Sequence, residues 1–453
     1  MGMIAPLDSA FLIQEAREHP MHVGGLQLFH LPDGADEDYV GDLYRQLLTY
    51  TDVAPLFSRR PRDPVESVGN FWWKNVADVD IEYHVRRSAL PRPGRIRELL
   101  ELISRLHGSL LDRHRPLWEY HVIEGLPDRR FATYAKCHHA LADGITLTRK
   151  VLQSCTVDPD VRGRPPMWSP GEQVPRLESG SRIAHPVETF RAAGRTLMGF
   201  RGMGSMLAQY GRAALRDQTA VLPYGAPRSM LNVPISGSRR VAAQSWDIDR
   251  VLKVGKARGV TLNDMVLAMS AGALRRYLLA NDALPDEPLI ASIPVSMRTV
   301  GDAAGEGNAI TFVLCNLGTH LADPEARLET ITSSMRATKA VMADRSGLQM
   351  AALGVLTTIG PSALTRLPGA SSVAPPYNVL ISNVPGPRDR LYWNGAELEA
   401  IYPLSIPTEN QALNITCLSY ADHLEFGLVG CRRAVPKLQR LLDYLEDGLG
   451  ELE

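Results

Sequence analysis

The stretch YAKCHHALADGITL, which runs from Tyr134 to Leu147, contains two adjacent histidines and an Asp-Gly pair four and five residues after the second one. The residues at 131–141 alternate in a way that is typical of a strand, and the residues after the Asp-Gly pair, ITLTRKVLQ, place apolar side chains at helical spacing. The stretch therefore predicts a strand, a turn and a helix in succession, which is the local pattern of an α/β fold.

The two histidines are expected on opposite faces of this strand, because side chains alternate along it. His139 then lies on the face of Phe131, Thr133, Ala135 and Cys137, and His138 lies on the face of Tyr134 and Lys136. Two imidazoles that point apart do not share one metal ion, and no HExxH motif or Cys/His cluster supplies further ligands. A metal site is therefore disfavoured.

The apolar face around His139 favours its neutral imidazole, which can accept a proton near neutral pH. His139 is therefore a candidate general base, and the alternative is an ordinary core or surface histidine. Asp143 stands just before the predicted helix, where it can cap the helix or pair with an arginine. Gly144 would let the chain turn sharply at this point.

The length and composition describe a large globular protein. A chain of 453 residues is too long for one typical core and predicts two large domains or two to three smaller ones. Apolar residues make up 45% and charged residues 22%, and the formal net charge of −1 gives no electrostatic reason to expect a nucleic-acid partner. The five cysteines are scattered and form no CxxC pair, so neither a disulfide framework nor a zinc ribbon is indicated.

No segment resembles a membrane span or a secretory signal. The N-terminus lacks a basic-then-apolar design, and no run approaches eighteen apolar residues. We therefore expect a cytoplasmic protein whose contact with lipid, if it has one, is peripheral, on the inner face of the membrane or on lipid droplets.

Periodicity divides the chain into two mixed units. Pro, Gly and charged residues dominate 157–181 and mark a loop or linker. The predicted organisation is an N-terminal domain at 1–175, a linker with a helical basic segment at 176–240, and a C-terminal domain at 241–453. Helices are predicted at 36–50, 95–112, 323–343 and 435–449, and strands at 22–31, 116–126, 131–141, 288–297, 309–317, 377–384, 411–420 and 424–431.

The spacing His-His-x-x-x-Asp-Gly in HHALADG resembles the signature of the acyltransferase superfamily that contains chloramphenicol acetyltransferase, peptide-synthetase condensation domains and the wax ester synthase/diacylglycerol acyltransferases. Further stretches resemble the last branch and occur in order along the chain: PLDSAFL, DIEYHVRRSALPRPG, RPLWEYHVIEGL, TLNDMVLA, GNAITFVLCNL and ISNVPGP. This ordered set covers nearly the whole chain and identifies it as similar to that family.

The resemblance implies two chloramphenicol-acetyltransferase-like α/β domains with an active-site tunnel between them. It also implies transfer of a long-chain fatty acyl group from acyl-CoA to diacylglycerol or to a long-chain alcohol. Acyl-CoA would be a co-substrate, and no cofactor or metal is expected. Because the alcohol would attack the thioester directly, no covalent acyl-enzyme is needed, and no GxSxG motif is present.

The resemblance also assigns roles to individual residues. His139 is the implied general base, with His138 as a supporting residue, Asp143 as a structural residue and Gly144 at the turn. Asn263 matches the Asn-Asp motif of the family and is a possible polar group of the site. The adjacent Asp264 can equally be a helix-start residue. Arg298 is the implied partner of Asp143, and Trp118 and Cys137 are expected to be packing residues.

Two alternatives to this function are a carrier-protein-dependent condensing or esterifying transferase and a non-catalytic protein that binds lipid at a membrane or droplet surface. The segment at 182–216 carries six arginines against one glutamate, with Leu, Met, Phe and Tyr between them. Basic amphipathic helices favour anionic lipid. The segment is therefore either a membrane-contacting element or an ordinary interdomain helix with a solvated face.

Overall fold

Two six-stranded sheets form the framework of the protein in the computed structural model. The structure describes residues 3–36, 38–62, 72–170, 221, 224–296, 310–343 and 374–453. The basic segment at 182–216 and Arg298 therefore lie outside the described residues. Within those ranges, none of the helices combines the length and the apolar character that crossing a membrane requires.

The first sheet is built mainly from the N-terminal half of the chain. Its strands from this half are β1 (His22–His30), β4 (Val85–Ala89), β5 (Trp118–Glu124) and β6 (Arg130–His138), and β2 (Arg59–Pro61) and β3 (Trp73–Asn75) form a separate two-stranded sheet. The helices of this half are α1 (Pro6–Gln14), α2 (Tyr39–Leu48), α3 (Ile81–His84), α4 (Ile96–Gly108) and α5 (Gly144–Leu152).

The second sheet is built from the C-terminal half, in the order β7-β14-β13-β10-β8-β9. Its strands are β7 (Arg239–Asp247), β8 (Ile290–Ser296), β9 (Ile310–Asn316), β10 (Val379–Val384), β13 (Leu413–Tyr420) and β14 (His423–Cys431). The helices of this half are α6 (Ile248–Arg258), α7 (Leu262–Leu279), α8 (Pro324–Ala343) and α9 (Arg440–Gly450). Strand β10 runs parallel to both of its neighbours, β8 and β13.

One excursion of the C-terminal half completes the N-terminal sheet. Strands β11 (Tyr392–Trp393) and β12 (Ala396–Leu404) extend that sheet, whose order is β11-β12-β1-β6-β5-β4. Strand β12 pairs antiparallel with β1, from Gly24 opposite Leu404 to His30 opposite Glu397. The C-terminal unit predicted at 241–453 therefore contributes two strands to the first sheet, which the periodicity analysis does not predict.

One hydrophobic cluster joins the two halves. Helix α4 contributes buried Leu99 and Ile103, which share a cluster with Val241 of β7, Val429 of β14 and Leu404 of β12. The N–H of Val241 also donates to Ser104 Oγ on α4, at 2.9 Å. The apolar face of α4 is thus covered by both sheets, and it holds them together.

Predictions from local sequence patterns were confirmed where neighbouring residues decide the structure. The helix predicted at 95–112 is α4, and the strands predicted at 116–126 and 131–141 are β5 and β6, which pair antiparallel. The predicted mixed α/β class is also observed.

Candidate active site

The histidine pair stands where β6 ends. The strand stops at His138, earlier than predicted, because the chain turns back on this residue. The N–H groups of Leu141 and Ala142 donate to the His138 carbonyl, at 2.8 and 3.2 Å, and the Ala140 N–H donates to His138 Nδ1, at 3.0 Å. The predicted strand at 131–141 is therefore too long by three residues, and His139 occupies the start of the turn.

His139 is held by its backbone and by one face of its ring. Its N–H donates to the Met21 carbonyl at 2.8 Å, and its imidazole stacks on Phe11 with ring centroids 4.0 Å apart. The residue is half-buried, and no hydrogen bond joins its Nδ1 to any described residue. One face of the ring is thus fixed by Phe11.

Burial lowers the pKa of His139 to about 4, against the opposing effect of the Asp143 carboxylate and with a further lowering by His138. The sign follows from the charge of the protonated form, which burial disfavours. The imidazole is therefore neutral at pH 7 and able to accept a proton, as the apolar surroundings predicted.

His138 is fully buried and faces a carboxylate that the sequence analysis missed. Because Nδ1 of His138 accepts the N–H of Ala140, the proton of the neutral ring lies on Nε2. This Nε2 lies 3.3 Å from Oε1 of Glu15, which is a close electrostatic contact without hydrogen-bond geometry. Nothing in the local pattern distinguishes Glu15, which lies just after α1 and far along the chain from the histidines.

The side chain of Glu15 is almost fully buried and has four N–H groups around it. Arg113 donates to Oε2 through Nε at 3.0 Å and through Nη2 at 2.9 Å, and the Met21 N–H donates to Oε1 at 3.2 Å. Burial alone would raise the pKa of Glu15, but the contacts with His138, Met21 and Arg113 outweigh it, and the pKa lies below its usual value. The carboxylate is therefore ionised.

Asp143 is a helix cap in the structure, which was one of the two predicted roles. Its Oδ1 accepts the N–H of Thr146 at 2.7 Å, at the start of α5. The proposed pairing with Arg298 stays a prediction, because that arginine lies outside the described residues. Gly144 is the first residue of α5 and does not lie in the left-handed region, and a Cβ there would meet no atom within 4 Å. The backbone therefore does not require glycine at this turn.

The Asn-Asp motif begins helix α7. Thr261 and Asp264 form a reciprocal capping box, in which the Thr261 N–H donates to Asp264 Oδ2 at 3.0 Å. This confirms the helix-start role for Asp264. Asn263 is half-buried, and among the described residues no hydrogen bond or ion pair joins it to the histidines. Its place in the site stays a prediction.

The packing roles of Trp118 and Cys137 are confirmed. Both side chains are fully buried, and the Trp118 indole N–H donates to the Phe57 carbonyl at 2.8 Å. Burial raises the pKa of the Cys137 thiol far above neutrality, so it is not a nucleophile. In the described part of the chain, no group of three His, Cys, Asp or Glu side chains could hold a metal ion.

A buried ion pair lies behind the histidines on β5 and β6. Lys136 is fully buried, donates to two carbonyl oxygens at the C-terminal end of α4, at 3.0 and 3.1 Å, and lies 3.1 Å from Glu119 Oε2. Burial would raise the pKa of Glu119, but His121, Lys136 and Arg86 outweigh it and lower the pKa to about 2. The buried ammonium on β6 and the buried carboxylate on β5 thus compensate each other's charge.

Family models and similar proteins all indicate the same protein family. The model of the wax ester synthase/diacylglycerol acyltransferase catalytic domain matches residues 4–266, and the model of the C-terminal domain of the same family matches residues 306–453. A "putative diacylglycerol O-acyltransferase" of Mycobacterium tuberculosis is 51% identical over 451 residues, which cover 99% of each chain.

Two solved structures are similar to this protein in fold. The wax ester synthase/diacylglycerol acyltransferase of Marinobacter aquaeolei VT8 is 42% identical, with a TM-score of 0.79 over 100% of this chain and 99% of that chain. The first condensation domain of the CDA synthetase is 13% identical, with a TM-score of 0.60 over 100% of this chain and 95% of that chain, which shows a shared fold alone. The predicted two-domain fold is thereby confirmed. The chain belongs to the wax ester synthase/diacylglycerol acyltransferase family.

Proposed function

We propose that the protein is an O-acyltransferase that moves a long-chain fatty acyl group from acyl-CoA to the hydroxyl of diacylglycerol, of a long-chain alcohol, or of both. Family membership supports the reaction class. The observation that carries the chemistry is His139, a half-buried imidazole at the end of β6 that is neutral at pH 7.

In the proposed mechanism His139 removes the proton of the acceptor hydroxyl as its oxygen attacks the thioester carbonyl carbon. A positioned general base contributes roughly 10²- to 10⁴-fold to such a step. The tetrahedral intermediate then collapses with cleavage of the carbon–sulfur bond, and the CoA thiolate takes the proton from the imidazolium. Because the pKa of His139 is held low, the imidazolium is a strong enough acid to return this proton readily.

The other predicted site residues support this base without sharing its chemistry. We propose that His138 and Asp143 hold the turn that carries His139, through the Ala140 N–H and the start of α5 respectively. Asn263 remains a proposed polar group of the site, and the reaction needs no cofactor beyond the acyl-CoA co-substrate. Direct attack fits the buried state of Cys137, the thiol nearest to His139 in the sequence.

The substrates themselves suggest where the protein works. Diacylglycerol and long-chain alcohols partition into lipid, since each buried methylene is worth about 0.8 kcal/mol. We therefore propose that the enzyme acts peripherally, on the inner face of the membrane or on lipid droplets. We also propose that a tunnel between the two halves admits the acyl chain.

The test is CoA thiol release from palmitoyl-CoA by the purified protein, with dipalmitoylglycerol or hexadecanol as acceptor and products identified by mass. The proposal expects acceptor-dependent release together with triacylglycerol or wax ester. If neither acceptor raises release above that of buffer, the proposed donor and acceptors are wrong. Activity with an acyl-carrier protein in place of acyl-CoA would then indicate a carrier-dependent transferase.

A further inference from the structure

We infer that Glu15 is a positioning residue for His139, which it holds through His138 and Met21; this inference rests on the proposed function of His139. The Glu15 side chain is only 3% exposed, and its two oxygens face four N–H groups, two on each oxygen. Three of these N–H groups, two of Arg113 and that of Met21, donate hydrogen bonds to the carboxylate, and the fourth, Nε2 of His138, lies 3.3 Å from Oε1. Its partners are His138, Met21 immediately before β1, whose carbonyl accepts the N–H of His139, and the arginine that balances its charge.

The first connection runs through the side chain of His138. Oε1 of Glu15 lies 3.3 Å from Nε2 of His138, which favours the tautomer that carries its proton on Nε2. That tautomer leaves Nδ1 free to accept the Ala140 N–H at 3.0 Å. Glu15 therefore orients the peptide group that follows His139.

The second connection runs through the backbone of Met21. The same Oε1 accepts the Met21 N–H at 3.2 Å, and the Met21 carbonyl accepts the N–H of His139 at 2.8 Å. Glu15 thus also orients the peptide group that precedes His139. One carboxylate oxygen is linked to the peptide groups on both sides of the base.

The segment that contains Glu15 also supports the ring of the base. Phe11 lies four residues earlier and stacks on the His139 imidazole at 4.0 Å. Arg113 donates to Glu15 and also to the Leu12 carbonyl, at 2.6 Å, so it ties α1 to the carboxylate. The contacts of this segment therefore converge on the histidine turn.

The decisive variant is Glu15→Gln, which keeps the shape of the side chain. Its amide NH₂ would face donors wherever it points, either Arg113 or the Met21 N–H and His138 Nε2. The turn is then no longer held in one arrangement, and misplacement of a reacting group by about 1 Å can cost about 10²-fold in rate. We expect kcat to fall by about this factor while KM for both substrates stays unchanged.

A double variant separates positioning through His138 from a general loss of stability. If Glu15 acts through His138, adding His138→Gln to Glu15→Gln costs less than the product of the two single losses. The matched control is Glu451→Gln, which removes a carboxylate paired with Arg276 and Arg327 in the C-terminal half. A kcat for Glu15→Gln equal to that of the control, or losses that multiply, would overturn the inference.

A readout that needs no turnover is the ring ¹⁵N spectrum of His138. We expect one Nε2–H tautomer in the wild-type protein and a mixture in Glu15→Gln; the same single tautomer in both proteins would refute the connection. If the wild type transfers no acyl group, the proposed function fails while this spectrum still decides the role of Glu15. If Glu15→Gln does not fold, Arg113→Lys replaces it in both measurements. We then expect kcat to fall. An unchanged kcat together with an unchanged spectrum would contradict the inference.

Discussion

Gly427→Ala tests how closely the two halves must approach for the protein to be stable and active. Gly427 lies on β14, and a Cβ at this position would be 1.9 Å from the carbonyl oxygen of Pro403 on β12. Real Cβ contacts essentially never fall below 3.0 Å, and the opposing atom belongs to the backbone rather than to a flexible side chain. One of the two strands must therefore move within its sheet.

The expected loss of stability and activity follows from the cost of the clash and from the strands that pair with β12. Overpacking in a well-packed core costs about 1–3 kcal/mol, and a clash with the backbone of a strand in the other sheet belongs at the upper end of that range. Strand β12 pairs with β1, and β1 pairs with β6, with His22 opposite His138. A displacement of β12 thus reaches the histidine turn, and we expect turnover to fall together with the free energy of unfolding.

Urea unfolding followed by tryptophan fluorescence measures the stability, and CoA release measures turnover. The control is Gly450→Ala, because a Cβ on Gly450 would meet no atom within 4 Å. We expect the control to match the wild type within about 0.5 kcal/mol. If Gly427→Ala were equally stable and active, the close contact between β12 and β14 would not limit the structure.

Three further perturbations test other parts of the account. Because His139 acts as a neutral base with a pKa of about 4, kcat/KM should keep its neutral-pH value down to about pH 5. A base with the ordinary imidazole pKa would have lost roughly 30-fold in kcat/KM at that pH. A pH–rate profile, with tryptophan fluorescence to check folding at each pH, distinguishes the lowered pKa from the ordinary one. Lys136→Met leaves the buried Glu119 carboxylate without its closest cation and should cost about 3 kcal/mol in urea unfolding; a loss below about 1 kcal/mol would contradict the buried ion pair. Gly24→Ala would bring a Cβ to 2.7 Å from the fully buried ring of Tyr134, so the unfolding midpoint should drop by the equivalent of about 1–3 kcal/mol, and an unchanged midpoint would show that the ring has room to move.

Elements that depend on neighbouring residues could be predicted from the sequence. The amphipathic spacing at 95–112 corresponds to α4, and the alternation on either side of a short turn corresponds to the β5–β6 hairpin. The Asp143 cap was also readable, because a cap depends only on the residue that precedes a helix. These elements depend on interactions between residues close in sequence, and the pattern of apolar and polar residues in the sequence indicates them.

The position of β12 in the N-terminal sheet could not be predicted in the same way. Its partner β1 lies almost at the other end of the chain, and the pairing is decided by which sheet edge is left open after folding. The end of β6 was misjudged for a related reason. Alternation continues past His138 in the sequence, but the side chain of that residue captures the Ala140 N–H and turns the backbone.

The candidate site was predictable as a motif but not as a structure. The His-His-x-x-x-Asp-Gly spacing points to the base, whereas Phe11, Glu15 and Arg113 carry no signal of their own. Their roles arise when α1 packs against the end of β6 and brings a carboxylate and an aromatic ring to the two histidines. A glutamate in a polar N-terminal stretch looks like any solvated residue until its partners are known.

The most direct test of the central claim is kcat for acyl transfer from palmitoyl-CoA by His139→Gln, measured beside His138→Gln and the wild type. If His139 is the general base, its replacement should lower kcat by at least about 10²-fold with the fold retained, and His138→Gln should lower it by less. Equal and small losses from both variants would contradict the assignment of His139 as the base.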